Sequence, residues 1–179
     1  LMGGYEMTNY LFELGHSKIG FVGTRLCTTS IDDRYFGYLK SMMEHGIHWR
    51  EDWILEDRDR ETGKVDAEER FVLPKEMPTA FFCNCDGTAS ILTRKLNQNG
   101  YSVPEDISVV GFDNYIPDQF GTVGLTTYEI NIKEMAKRTV HILVHKLQND
   151  NYSTGIFMMA GKFVERESAR RIGPAVPFV

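Results

Sequence analysis

The sequence predicts an α/β fold in which a parallel sheet is flanked by helices. Short apolar runs of strand length alternate along the chain with segments that have helical periodicity. Connections of helical length between strands favour parallel pairing, because right-handed crossovers then carry each strand in the same direction. With 179 residues, 42% hydrophobic and 25% charged, the composition is that of an ordinary globular domain with one substantial core.

Each element follows from its local pattern. The predicted strands are short apolar runs, suited to burial on both faces, at residues 18–23, 52–56, 78–84 and 107–112. The predicted helices carry apolar residues three or four positions apart, at residues 3–15, 32–45, 65–71, 86–99 and 131–148. Gly15, Gly46 and Gly100 are typical C-terminal stops for three of them. Residues 57–71 are highly charged and are interpreted as a solvated loop leading into a short helix, and residues 156–168 predict a closing strand or hairpin.

Charge and composition exclude several classes of function. A net charge of -5 argues against binding of a polyanion such as DNA by this chain itself, because phosphate binding needs a concentrated Lys/Arg surface. No run of about 18 apolar residues is present to span a bilayer, and no leader pattern opens the chain, so a cytoplasmic location is expected and membrane partners are not. Cys27, Cys83 and Cys85 lack the spacing of a tetrahedral metal site, and His141 with His145 lacks a third ligand. We expect no metal and no cofactor.

Polar side chains follow every predicted strand of the sheet. They are Thr24 and Arg25, Asp57 and Arg58, Asn84 to Asp86, and Asp113 with Asn114. The carboxyl ends of parallel strands share one edge, and ligands of open parallel sheets bind in the crevice outside that edge. Asp113 is therefore expected where a ligand would lie.

The residues favour binding over catalysis. No G-x-S-x-G, Walker or H-E-x-x-H motif occurs, so no catalytic residue is predicted. A guanidinium has five fixed donors and a carboxylate about four lone-pair sites, so an Arg and an Asp across a crevice can fix several hydroxyl groups of a polyol. Arg34 is the candidate partner of Asp113. The alternative for Arg34 is a surface ion pair with Asp32 or Asp33.

Four segments carry the most specific pattern of the chain, and they are GGYEMTNYLFELGHSKIGFVG, DDRYFGYLKSMMEHGI, PTAFFCNCDGTASILTRKLNQNGYSVPEDISVVGFDN and LTTYEINIKEMAKRTVHILVHKL, with VERES near the end. Together they resemble the effector-binding domain of LacI/GalR family bacterial transcriptional repressors. Their order and spacing cover about residues 3–170. The combination of LGHSKIGFVG with VPEDISVVGFDN is the most specific part.

The resemblance implies a periplasmic-binding-protein-like type I fold, in which two subdomains enclose a small molecule, usually a sugar or a nucleobase. By position, Arg34 matches the arginine that contacts the effector, Asp113 matches the acid that closes on it, and Thr28 and Ser30 match polar residues of the loop between. Cys85 and Asp86 stand where the family usually has an Asn-Asp pair, so Cys85 departs from a standard sugar contact. The charged region 57–72 leaves the aromatic that often stacks on the sugar unassigned.

The resemblance also implies a division of the chain. Residues 1–124 would form mainly the C-terminal subdomain, residues 125–150 a crossover helix that completes the N-terminal subdomain, and residues 151–179 a returning strand and tail. The helix-turn-helix headpiece and the start of the N-terminal subdomain are expected outside this sequence, so operator DNA would be a partner only through that headpiece. The other expected partners are a small-molecule effector, with a sugar as the default class, and a second copy in a homodimer.

Two further classes of function stay open at this point. A solute-binding protein of a sugar transporter would share the fold, and the upstream coding sequence would distinguish it by a secretion signal in place of a helix-turn-helix. A sugar-active enzyme would show product formation with glycosides. The uncovered apolar face of the helix at 131–148 predicts self-association or instability unless another surface covers it.

Overall fold

A computed structural model describes residues 1–115, 124–149, 151–153 and 155–179 of the chain. The helices are α1 (Met2–Glu13), α2 (Thr29–Glu44), α3 (Ala67–Arg70), α4 (Asp86–Gln98) and α5 (Ile132–Gln148). The strands are β1 (Ile19–Val22), β2 (Ile54–Leu55), β3 (Ala80–Cys83), β4 (Ser108–Val110), β5 (Thr127–Glu129) and β6 (Lys162–Val164). A 3-10 turn, Glu51–Trp53, leads into β2.

The first four strands form one parallel sheet in the order β2-β1-β3-β4. Its strands β1, β3 and β4 are buried along their whole length, as their continuous apolar runs predict for a sheet covered on both faces. The predicted α/β architecture with a parallel sheet and flanking helices is therefore confirmed.

Successive residues of a strand point to opposite faces, and each face of the sheet carries its own core. Phe21 and Phe82 pack with Tyr38 against α1 and α2. Phe81, the neighbour of Phe82, packs instead on the opposite face with Leu92 of α4 and its surroundings. The two cores hold the sheet rigidly between helices, which fixes the positions of the loops that leave its carboxyl edge.

A second pair of strands, β5 and β6, is antiparallel and adjoins β4 through single bridges. The backbone N–H of Asp113 donates to the carbonyl of Tyr128, at 2.8 Å. β5 is a strand that the sequence did not predict, while β6 lies in the region where a closing strand was predicted. The pair extends the sheet edge next to Asp113.

Helices α1 and α2 pack closely because glycines stand at their crossing. A Cβ atom added at Gly4 would lie 2.5 Å from the carbonyl oxygen of Arg34, and one added at Gly37 would overlap the carbonyl oxygen of Leu1. The backbone of α2 at Arg34 is therefore in direct contact with α1. This contact fixes the position of the Arg34 backbone relative to α1, and with it the point from which the Arg34 side chain extends.

Helix α5 is the element whose side chains are least covered. None of its residues is buried in the described parts of the chain. Six of its large apolar side chains are 42–77% exposed, namely Ile132, Met135, Val140, Leu143, Val144 and Leu147. The amphipathic helix predicted at residues 131–148 is thus present with its apolar stripe uncovered, while the proposed division of the chain at residues 124 and 150 stays a prediction. None of the helices in the described segments combines the length and hydropathy that a bilayer crossing requires.

Candidate functional site

The carboxyl edge of the parallel sheet gathers polar and charged side chains from four separate segments. Thr24 follows β1, Asp57 and Arg58 follow β2, Asn84 follows β3 and Asp113 follows β4. Arg34 reaches the same edge from the second turn of α2, and its guanidinium donates to the carbonyl of Asn84 at 2.9 Å. Parallel strand direction brings these groups together although they are spread over more than half of the chain.

Arg34 and Asp113 form an ion pair at this edge. Nη2 of Arg34 donates to Oδ1 of Asp113 at 3.0 Å, and their side chains are 14% and 28% exposed. The guanidinium also lies over the ring of Phe112, with 4.0 Å from Cζ to the ring centroid, a cation–π geometry. Arg34 thus pairs across the crevice with Asp113, and not with Asp32 or Asp33 on its own helix, which was the alternative.

Asp113 has an unusual backbone conformation. Its φ is 100°, a region that few non-glycine residues adopt and that often marks functional sites. Burial raises the pKa of its carboxyl group, and the charge of Arg34 opposes that rise. Its second oxygen, Oδ2, has no protein donor among the described residues. The geometry presents one carboxylate oxygen for an external hydroxyl or N–H group.

Thr28 and Ser30 lie at the start of α2. Oγ1 of Thr28 accepts from the backbone N–H of Ile31 at 3.3 Å and lies 3.1 Å from Oγ of Ser30. Thr28 is therefore the N-cap, and α2 begins at Thr29, three residues before the predicted start at Asp32. Both hydroxyl groups are exposed, so the cap leaves Ser30 accessible beside the edge.

Asp86 does not reach the accessible surface of the edge. It is 3% exposed, and its carboxylate accepts from the hydroxyl of Thr127 at 2.6 Å and from the backbone N–H of Tyr115 at 2.9 Å. Burial raises its pKa, and these two hydrogen bonds oppose the rise. A ligand contact by Asp86 stays a prediction, and in the structure its oxygens join α4 to Thr127 of β5 and to Tyr115.

Cys85 is the N-cap residue of α4 but provides no capping hydrogen bond from its side chain. Its Sγ lies 3.1 Å from Oγ1 of Thr88, and the residue is half-buried. An asparagine amide at this position would supply a donor and an acceptor, whereas a thiol offers only weak hydrogen bonds. Cys85 therefore lines the edge without strengthening its polar contacts.

A buried network follows β2, where the sequence placed Asp57 and Arg58 at the edge but predicted a solvated loop for the charged stretch that they begin. Asp57 is fully buried, and its carboxylate accepts from the backbone N–H of Thr24 at 2.9 Å and from Nδ2 of Asn84 at 2.9 Å. It also accepts from Thr88 at 3.1 Å and from Nη2 of Arg58 at 2.7 Å. The position of Asp57 directly after a strand is the signal that placed it at this edge, whereas its burial had no signal in the sequence.

The lowered pKa of Asp57 shows that this network favours the ionised carboxylate. Burial by itself raises the pKa, but hydrogen bonds from Arg58, Asn84 and Thr24 and the charge of Arg58 outweigh it and lower the pKa to about 2. A buried carboxylate that stays ionised in this way is a fixed structural charge. Asp57 consequently orders both Asn84 and Arg58.

The fold and the edge define the class of parallel α/β domains in which polar groups converge at one end of the sheet. A sequence model of the family described as periplasmic binding protein-like domain matches residues 8–169. The chain belongs to this family. The HTH-type transcriptional repressor PurR of Aliivibrio salmonicida is 31% identical over 170 residues, which are 95% of this chain and 51% of the repressor.

Solved structures agree with this assignment of the fold. A transcription regulator from Lactobacillus plantarum superposes with a TM-score of 0.81 at 25% identity, covering 95% of this chain and 65% of that one. A LacI family transcriptional regulator from Enterococcus faecium, with bound ribose, gives a TM-score of 0.82 at 23% identity over 96% of this chain and 64% of that one. The resemblance to LacI family regulators is confirmed, and the chain spans about half the length of the curated relatives that it matches.

Proposed function

We propose that this chain is the ligand-sensing part of a bacterial transcriptional regulator, and that it binds a small molecule at the carboxyl edge of its sheet. One observation carries the proposal: Arg34 and Asp113 meet there as a partly exposed ion pair, and among the described residues Oδ2 of Asp113 has no hydrogen-bond donor. A preorganised donor and acceptor pair of this kind suits the hydroxyl groups of a sugar or the edge of a nucleobase.

The expected ligand class is a sugar. The Enterococcus faecium relative in the same fold was solved with ribose, which supports this choice. Ser30 and Thr28 add exposed hydroxyl groups at the start of α2, ahead of Arg34, and the half-buried Cys85 adds a thiol next to Asn84. A nucleobase is the second ligand class, since planar edges with alternating donors and acceptors fit the same pair.

Regulation would follow from closure of two subdomains over the ligand. An effector shifts such an equilibrium only by its difference in affinity for the two arrangements. Asp113 is the group best suited to supply that difference, because among the described residues its Oδ2 has no hydrogen-bond donor and can accept one from a ligand. Operator DNA would respond through a helix-turn-helix headpiece, as in the repressor relatives, and a homodimer would present two headpieces to it.

The test is a binding screen on the 179-residue chain and on the protein as its gene encodes it. Thermal melts against ribose, glucose, galactose, adenine and guanine identify a ligand, because a compound that binds only the folded state raises the melting temperature. Titration calorimetry then measures its affinity. Asp113→Asn keeps the shape of the side chain and removes its charge, and we expect a loss of about tenfold or more.

Arg94→Gln is the matched control. Arg94 forms an exposed ion pair with Glu68 on the far side of α4, so this variant should bind as the wild type does. Equal affinity of Asp113→Asn and the wild type would mean that the ligand lies elsewhere. Absence of any binding by both forms of the protein would argue against a sensing function.

A further inference from the structure

Arg58 is a second arginine whose position at the sheet edge is fixed. Its side chain is 16% exposed. Its backbone N–H donates to Oγ1 of Thr24 at 2.9 Å, and its carbonyl accepts from the same hydroxyl group at 2.8 Å. Thr24 is fully buried at the end of β1, so Arg58 is held to a rigid strand although it belongs to a highly charged loop.

Asp57 orients the guanidinium of Arg58 without occupying all of it. The carboxylate accepts from Nε at 3.1 Å and from Nη2 at 2.7 Å. Among the described residues, no acceptor is hydrogen-bonded to Nη1. Asp57 also shares its charge with donors from Thr24, Asn84 and Thr88, so it neutralises Arg58 only in part.

Arg58 and Arg34 meet at one residue. Arg34 donates to the backbone carbonyl of Asn84 at 2.9 Å, and Nη2 of Arg58 lies 3.5 Å from Oδ1 of the same asparagine. Two guanidinium groups are thus separated by the width of one asparagine. They serve different parts of the edge, since Arg34 is paired with Asp113 and Arg58 with Asp57.

Among the described residues of this edge, the carboxylates near the two arginines differ in exposure. Asp57 is fully buried and Asp86 is 3% exposed. Asp113 is the partly exposed one, and it lies on the Arg34 side. Arg25, next to Thr24, is paired with Glu51 further out. A ligand that spans the edge would therefore meet a donor and acceptor pair at one end and a partly compensated guanidinium at the other.

From this arrangement we infer that the ligand is an anionic sugar, with its hydroxyl groups on Arg34 and Asp113 and its phosphate or carboxylate group on Nη1 of Arg58. The planar fork of a guanidinium matches the oxygens of both kinds of anion, and hydrogen bonds between charged partners are stronger than neutral ones. Arg58 would be the residue that determines specificity. The inference rests on the proposed function and adds the ligand class.

The experiment compares each sugar with its charged form by titration calorimetry on the protein as its gene encodes it. The probes are ribose with ribose 5-phosphate, and glucose with glucose 6-phosphate and glucuronate. We expect the charged form of a pair to bind about tenfold or more tightly than the neutral one. Its affinity should also fall with added salt while that of the neutral sugar stays constant. Glucuronate carries a carboxylate where glucose 6-phosphate carries its phosphate, so it distinguishes recognition of the two groups.

Variants then assign the preference to one residue. Arg58→Gln should bind the neutral and charged forms equally, because Nη1 is removed while the Arg34 and Asp113 pair remains. Arg60→Gln is the control, since Arg60 is an exposed arginine two residues away that pairs with Glu56. If Arg58→Gln does not fold, Arg58→Lys keeps a positive charge beside Asp57 and should lose most of the preference through loss of the fork.

The possible outcomes separate the two proposals. A charged preference that survives Arg58→Gln, or neutral and charged sugars that bind the wild type equally and without salt dependence, would overturn the anionic ligand and leave the sensing function standing. Failure of every sugar and nucleobase to bind would overturn the sensing function, and the inference with it. A preference lost in Arg58→Gln and kept in Arg60→Gln would establish Arg58 as the anion-binding residue.

Discussion

Replacing Asp57 by asparagine tests whether the network after β2 is a structural support of the site. The substitution keeps the size of the side chain but removes a charge that four different residues stabilise. It also places an amide N–H₂ group where the wild type has an acceptor facing Asn84 or Thr88. Both changes act on a fully buried position, where solvent cannot replace the lost partners.

The expected loss of stability follows from the pKa of Asp57. Its pKa falls from 3.8 to about 2 on folding, which corresponds to about 2 kcal/mol in favour of the folded state near neutral pH. A mispaired amide adds about 1 kcal/mol, so Asp57→Asn should lower the free energy of unfolding by about 2–3 kcal/mol. Because the folded pKa is the lower one, this contribution is fully present above about pH 4 and is lost as the pH falls toward about 2.

Urea denaturation of the wild type and the variant, from neutral pH down to about pH 3, measures both quantities. Asp52→Asn is the control, because Asp52 is an exposed carboxylate paired with Arg50 and solvent screens that pair. A variant as stable as the wild type at neutral pH, or a difference that stays constant as the pH falls, would refute the assignment of Asp57 as a fixed charge.

Three other changes test other parts of the structure. His16 is buried, and burial lowers its pKa to about 4. Acidification from about pH 6.5 to about pH 4 should therefore lower the free energy of unfolding of the wild type by about 3 kcal/mol and that of His16→Gln by much less, as measured by chemical denaturation. Gly4→Ala should cost about 1–3 kcal/mol in the same assay through overpacking, whereas Gly155→Ala, with open space around it, should cost nothing. The isolated chain should self-associate through the exposed apolar residues of α5, as measured by sedimentation velocity. The double variant Leu143→Glu with Leu147→Glu should be a monomer whose helical circular dichroism is unchanged. A monomeric wild type would contradict this prediction.

The parallel sheet was predictable because its strands carry their own signal. Runs such as Ile19–Val22 and Ala80–Cys83 are apolar on both faces, and only a sheet covered by helices buries such runs completely. β2 is shorter than predicted because Glu51–Trp53 forms a 3-10 turn, and Trp53 donates its indole N–H to the carbonyl of Glu76. β5 was missed because three residues, Thr127–Glu129, become a strand only through pairing with the distant β6.

The candidate site was predictable where topology determines it and not where tertiary burial does. The strand ends correctly marked the segments that meet at the edge, and Arg34 and Asp113 are in contact there. Local composition gave the wrong expectation for Asp57, because a run of charged residues usually indicates a solvated loop. Its burial depends on donors contributed by three other segments, and no local pattern contains that information.

Asn84 has a consequence for how binding specificity can change. It follows the central strand β3, and it contacts one arginine from the β2 side of the sheet and another that pairs toward β4. In the proposed binding mode, mutations in the loop after β2 would alter the charge of the ligand that is bound, while the Arg34 and Asp113 pair would keep its geometry. Directed evolution of a biosensor from this scaffold should randomise residues 58–62 and leave Asn84 unchanged, since that asparagine contacts both arginines.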